Sequence, residues 1–83
     1  MRYLITGHTG FKGSWLCFWL NLMGARIFGY SLPPEGKLSA YNLLNIKSKV
    51  YKELFSDITN LKLIYNFIVG NQLYYKGTLV TAI

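Results

Sequence analysis

Apolar residues come in short runs broken by glycine, proline and small polar residues, and the period changes from run to run. Arg2 to Thr6 (RYLIT) is apolar, β-prone and stopped by Gly7, which predicts a buried strand ending in a tight turn. The stretch from Ser14 to Met23 has helical length. Gly24 is placed to end it as a C-cap. Leu16, Leu20 and Met23 lie on one stripe of that helix, with Trp15, Phe18, Trp19 and Leu22 on another, so the helix should be covered on both sides or expose tryptophan. Ala25 to Tyr30 reads as a second strand, and Ser31 to Gly36 as a loop, because Pro33-Pro34 continues neither a ladder nor a helix. Ser39 is positioned to cap a short helix through Leu44. Val50 to Phe55 is the third expected strand, ending at Ser56-Asp57-Ile58. Thr59 to Val69 has helical spacing at Leu61, Ile64, Tyr65 and Ile68, capped by Thr59 or Asn60. Thr78 to Ile83 is a candidate fourth strand. This alternation predicts an α/β fold: an incomplete Rossmann-like, doubly wound parallel sheet comprising an N-terminal βαβ portion.

Composition narrows the function classes. The 83 residues hold one domain at most, and a hydrophobic content of 52% with 17% aromatics supplies too much apolar surface for a disordered chain. Nine Lys and Arg against three Asp and Glu give a net charge of +6, a balance that favours polyanions. Cys17 is the only cysteine and His8 the only histidine. An intramolecular disulfide and a zinc cluster are therefore both excluded, and no metal is expected. Ser14 to Met23 is about half the roughly 20 residues needed to cross a bilayer, and glycines interrupt the segment before it. A cytoplasmic protein without a membrane partner is expected. Cys17 reads as core, and Trp15 and Trp19 as packing, since no basic residues are interleaved with them. Lys47, Lys49 and Lys52 read as a solvated face, and no nucleic-acid partner is expected.

Gly7, Gly10 and Gly13 follow a strand and open a helix. In that setting the first glycine permits the turn, the second lets backbone N–H groups approach a pyrophosphate, and the third allows close helix-to-strand packing. The spacing is G-x-x-G-x-x-G rather than G-x-G-x-x-G, and it predicts a dinucleotide site at the helix N-terminus.

Thr6 to Leu16 (TGHTGFKGSWL), together with Gly29-Tyr30-Ser31-Leu32-Pro33-Pro34, resembles the opening of the CDP-glucose 4,6-dehydratases, a family of extended short-chain dehydrogenases/reductases. The resemblance runs to about residue 60 and includes Ser56-Asp57-Ile58, similar to a G-D-I after the third strand. Residues 1–83 would be a partial NAD-binding domain whose tail, 64–83, diverges. The resemblance implies that Gly7, Gly10 and Gly13 form the pyrophosphate turn, with Thr9, Phe11 and Lys12 giving backbone N–H groups. It places Asp57 at the adenine amino group, Ile58 against the ring and Ser31 near the ribose. The family uses NAD to oxidise the sugar at C4, eliminates water across C5 and C6, and returns the hydride at C6, for cell-surface sugars such as O-antigens.

Departures from the pattern carry their own expectations. Phe28 to Ser31 at the end of the second strand holds no acidic residue for the ribose hydroxyls, and Glu35 comes too late, beyond the prolines. None of the seven tyrosines has a lysine four residues on, so the Tyr-x-x-x-Lys pair is absent and no catalytic residue is assigned. Asn71 to Tyr75 is unlike the family's small-residue loop, L-A-A-Q. These features predict an inactive N-terminal fragment, the product of a truncated gene with a shifted frame near its end; CDP-glucose binding and a homodimer would require the missing parts. Two alternatives stand beside it: part of another extended short-chain dehydrogenase acting on a UDP- or GDP-sugar, and a non-catalytic basic binding module.

Overall fold

Five residues, Arg2–Thr6, form strand β1 at the centre of a four-stranded, wholly parallel sheet of order β3-β2-β1-β4. The computed structural model describes residues 1–74 and 77–82. β2 is Arg26–Ser31, β3 Lys52–Phe55 and β4 Thr78–Ala82. Helix α1 (Phe11–Leu22) joins β1 to β2, α2 (Ala40–Leu43) and a 3-10 turn at Ile46–Ser48 join β2 to β3, and α3 (Leu61–Gly70) joins β3 to β4. The connections reverse direction beside β1, and this is where doubly wound sheets open a crevice at the carboxyl ends of their strands.

The two faces follow from alternation along the strands. Ile5 and Ile27 point to one side and pack with Cys17 and Leu20 of α1, Tyr41 of α2 and Ile46. Leu4 and Phe28 point to the other, against Leu73 with Phe67 and Ile68 of the α3 region. The sheet is thus wound on both faces, as the order of elements predicts.

Boundaries differ from the sequence expectation in ways that bear on the site. α1 starts at Phe11 rather than Ser14: Gly10 is its N-cap, and the Ser14 N–H already donates to the Gly10 carbonyl at 2.8 Å. The last third of the glycine motif is therefore helix. Gly24 follows the C-cap Met23 with φ +81°, a conformation that suits glycine. β3 starts at Lys52 rather than Val50, because the Val50 N–H, like that of Lys49, still donates to the Ile46 carbonyl of the preceding turn. The Asn60 side chain caps α3 by accepting from the Leu63 N–H at 3.2 Å, and Ser39 caps α2 by accepting from Asn42. The fourth strand comes from the last residues of the chain and pairs Arg2 to Thr78 and Tyr3 to Leu79; Ile83, placed at its end by the sequence, and Tyr75 of the preceding loop lie outside the described residues.

α1 is apolar all round but buried on one side only. Gly13, Ser14, Cys17 and Leu20 are buried, whereas Trp15 is 40% and Trp19 59% exposed, since no described element lies against its outer face. Of the two outcomes posed by the sequence, exposed tryptophan is the one observed.

Candidate functional site

The glycine turn leaves β1 at Thr6 and is tied down within four residues. Gly7 turns with φ +84°, a region in which a side chain is strained, and its N–H donates to the Tyr30 carbonyl at 2.9 Å. The Thr9 hydroxyl lies 2.8 Å from both Ser31 Oγ and the Leu32 carbonyl, clipping the turn to the end of β2. The Ser14 hydroxyl reaches back to the His8 carbonyl at 3.0 Å.

The three glycines have different physical duties. A Cβ on Gly13 would sit 2.1 Å from the Gly7 carbonyl oxygen, so Gly13 is where α1 presses on the turn. Gly10 has φ −77° and ψ 175°, which any residue adopts, and a Cβ there meets only the Gly7 carbonyl at an ordinary 3.5 Å. Neither conformation nor packing requires glycine at that position. What its missing side chain leaves is open space over the N-terminus of α1. There the N–H groups of Phe11, Lys12 and Gly13 have no acceptor within the helix, and among the described residues no side chain caps them. Open space, unpaired donors and the positive end of the helix dipole suit a phosphate.

Two adjoining clefts open at the carboxyl ends of β1, β2 and β3. One, of about 350 Å³, is lined by Gly7, Tyr30, Ser31, Ser56, Asp57 and Ile58 among others. The second, of about 540 Å³, takes in Thr9, Gly10, Phe11, Pro33 and Glu35. Gly7, Ser31 and Leu32 belong to both. The structure therefore brings Asp57, Ile58 and Ser31 together on one side of the turn, and Thr9, Gly10 and Phe11 on the other. Lys12 and Gly13 line neither: Lys12 is exposed and Gly13 is buried beneath the turn.

Asp57 is exposed, and its Oδ1 accepts from both the backbone N–H and the hydroxyl of Thr59, at 2.8 and 2.7 Å. Those bonds hold its carboxyl below the usual range. Both fall on Oδ1, so Oδ2 carries neither. Ser31 Oγ is engaged with Thr9 at the end of β2, the position from which an acidic side chain would reach a ribose. The buried Tyr30 hydroxyl donates to the carbonyl of Asp57 at 3.1 Å and lies 3.5 Å from that of Asn60, so it sets the loop after β3. Tyr30→Phe is expected to cost about 1 kcal/mol in urea unfolding, the usual worth of one hydrogen bond; an unchanged midpoint would show that the hydroxyl does not hold the loop.

A second polar cluster beneath the turn escapes a reading by motif. His8 is fully buried, and its Nε2 lies 2.8 Å from Glu53 Oε1 on β3. The Tyr41 hydroxyl donates to the same carboxylate at 2.7 and 2.9 Å. The imidazole stacks on Phe55 at 6.2 Å and meets the edge of Tyr41 at 5.9 Å. It lies flat against Gly29, where a Cβ would come within 2.6 Å of three ring atoms. The sequence signal was present but faint: Glu53 is one of only three acids and interrupts an apolar strand. Cys17 is buried core, with its thiol pushed up to about 12 by burial and by the Glu53 charge.

Among the described residues no helix is long and apolar enough to cross a membrane, and no group of His, Cys, Asp or Glu could hold a metal ion. Parallel winding, a glycine turn at the strand-to-helix junction and clefts at the strand ends define the class: an α/β chain with a partial Rossmann-like fold. No family model matches the chain. Among curated proteins, CDP-glucose 4,6-dehydratase of Salmonella typhimurium (strain LT2) is 37% identical over 67 residues, which take in 81% of this chain and 18% of that enzyme. The similarity thus spans less than a fifth of the relative's length, and over that stretch the chain is nucleotide-sugar dehydratase-like.

Proposed function

We propose that the chain is the N-terminal, NAD-binding part of a CDP-glucose 4,6-dehydratase and that these 83 residues alone catalyse no reaction. The observation that carries the reading is Gly10, a glycine the fold does not need, standing over a helix N-terminus with unpaired donors. The similarity to the Salmonella enzyme supports the choice of family. In this reading Gly7, Gly10 and Gly13 shape the pyrophosphate turn, and the N–H groups of Thr9, Phe11 and Lys12 bind it. Asp57 accepts from the adenine amino group through Oδ2, Ile58 covers the ring and Ser31 stands near the ribose. NAD, when bound, supplies the acceptor for the hydride of sugar C4 and the donor that reduces C6. The chain contains no Tyr-x-x-x-Lys to move the protons of that chemistry. CDP-glucose binding and dimerisation belong to the full-length enzyme, acting in the cytoplasm.

Calorimetric titration with NAD tests the reading. Saturable binding is expected, and Gly10→Trp should weaken it about a hundredfold, or about 2.7 kcal/mol, by filling the approach to the helix N-terminus. The unfolding midpoint should stay within about 1 kcal/mol, because position 10 tolerates a side chain. NAD binding that survives Gly10→Trp, or salt-sensitive oligonucleotide binding in place of NAD binding, overturns the proposal.

A further inference from the structure

Two consecutive residues anchor the glycine turn, and they anchor it to different strands. Thr9 holds it to the end of β2, whereas His8 holds it to β3 through Glu53, 45 residues away. Among the described residues, that bond alone ties a side chain of the turn to β3. A carboxylate only accepts, so Nε2 is the protonated nitrogen of the ring and donates to Oε1. The other nitrogen, Nδ1, is buried and has no hydrogen-bond partner among the described residues. Both requirements are met by the neutral imidazole. A proton added at Nδ1 would create a buried donor with no acceptor.

The surroundings leave the ring little else to do. Glu53 is the charged group facing it, from β3, alongside Phe55. From α2 comes Tyr41, whose hydroxyl is pushed up in pKa by burial and by its bond to Glu53; from α1 comes the neutral thiol of Cys17. β2 contributes Gly29, which has no side chain. Burial lowers the pKa of His8 from its ordinary 6.5, partly opposed by the hydrogen bond and charge of Glu53. A base whose folded pKa is lowered leaves the anchored turn undisturbed above that ordinary value. The anchored turn loses stability as pH falls below it.

We propose that His8 is the positioning residue of the phosphate turn: as a neutral imidazole held by Glu53 it sets the turn over α1, and its protonation releases the turn and lowers affinity for the dinucleotide. The last clause rests on the NAD reading above; the positioning role does not.

The test follows the imidazole and the turn separately from binding. In the 83-residue chain, imidazole nitrogen NMR should report the neutral Nε2–H form at about pH 7.5. The Thr9, Gly10 and Phe11 amide signals should move in step with the imidazole as it titrates below 6.5, and NAD affinity should fall over the same range. His8→Gln, which keeps an N–H for Glu53 but cannot titrate, should bind NAD within about threefold of wild type at about pH 7.5 and show no pH dependence between about 5.5 and 7.5. His8→Ala should bind about tenfold more weakly than the wild type does at about pH 7.5, and equally so at both ends of that range. Turn amides indifferent to the imidazole titration, or a His8→Gln variant with the wild-type pH profile, overturn the proposal. If NAD binds at no pH while the amides track the imidazole, the dinucleotide reading fails and the positioning role stands. Should either variant fail to unfold cooperatively, the wild-type titration decides.

Discussion

Gly13→Ala is expected to cost about 3 kcal/mol, a large share of the 5–15 kcal/mol that holds a typical domain together. The added Cβ would meet the Gly7 carbonyl oxygen at 2.1 Å, the His8 Cα at 2.8 Å and the Gly7 carbonyl carbon at 2.9 Å. All three are backbone atoms, so no rotamer change relieves the overlap. Either α1 tilts off β1 or the turn deforms, and both disturb the Ser14 bonds to Gly10 and His8. Gly70→Ala is the control: at position 70, which ends α3, an added Cβ would meet none of the described residues beyond its own helix within 4 Å, and alanine there should be neutral or stabilising by up to about 1 kcal/mol. Urea unfolding of the two variants provides the comparison. A Gly13→Ala midpoint equal to wild type would mean that helix and turn are not in the close contact described.

Gly29→Ala is expected to cost about 2–3 kcal/mol for a different reason. Here the obstacle is a side chain, the His8 ring, with three of its atoms 2.6 Å from the new Cβ. A ring can move in principle, but this one is stacked on Phe55, edged by Tyr41 and bonded to Glu53. Moving it breaks the bond and leaves the partly buried carboxylate with the Tyr41 hydroxyl as its remaining donor among the described residues. Removing the ring first should relieve the conflict, so the His8→Ala, Gly29→Ala double variant is expected to lose less than the sum of the single losses, with a coupling of about 1 kcal/mol or more. Additive losses would show that Gly29 and His8 do not share that space.

The two glycines separate what local pattern reveals from what it hides. Gly13 follows a strand at the third position of a spaced motif, and its packing duty was readable from that spacing. Gly29 sits inside β2 with no local feature to explain it; its reason is a ring that arrives from the turn twenty-one residues earlier in the chain. Asp57 shows the same divide at the cleft. Its place beside Ile58 at the end of β3 follows from strand length, but only the folded loop shows Oδ1 committed to Thr59.

The sequence by itself determined the order of elements, the parallel winding, the glycine turn at the first strand-to-helix junction and the cap at Ser39, and it narrowed the cap of α3 to Thr59 or Asn60. Each element depends on residues near one another in the chain, where period, propensity and capping act, and the parallel winding follows from the order in which the elements come. The tertiary structure alone decided that β4 pairs with β1, that the outer face of α1 leaves its tryptophans exposed, and that His8 rests on Gly29 and grips Glu53. Those outcomes join residues 21 to 76 positions apart. Contacts at such separations depend on how strands are ordered in the sheet and which elements come to cover each face, and no local period along the chain encodes either.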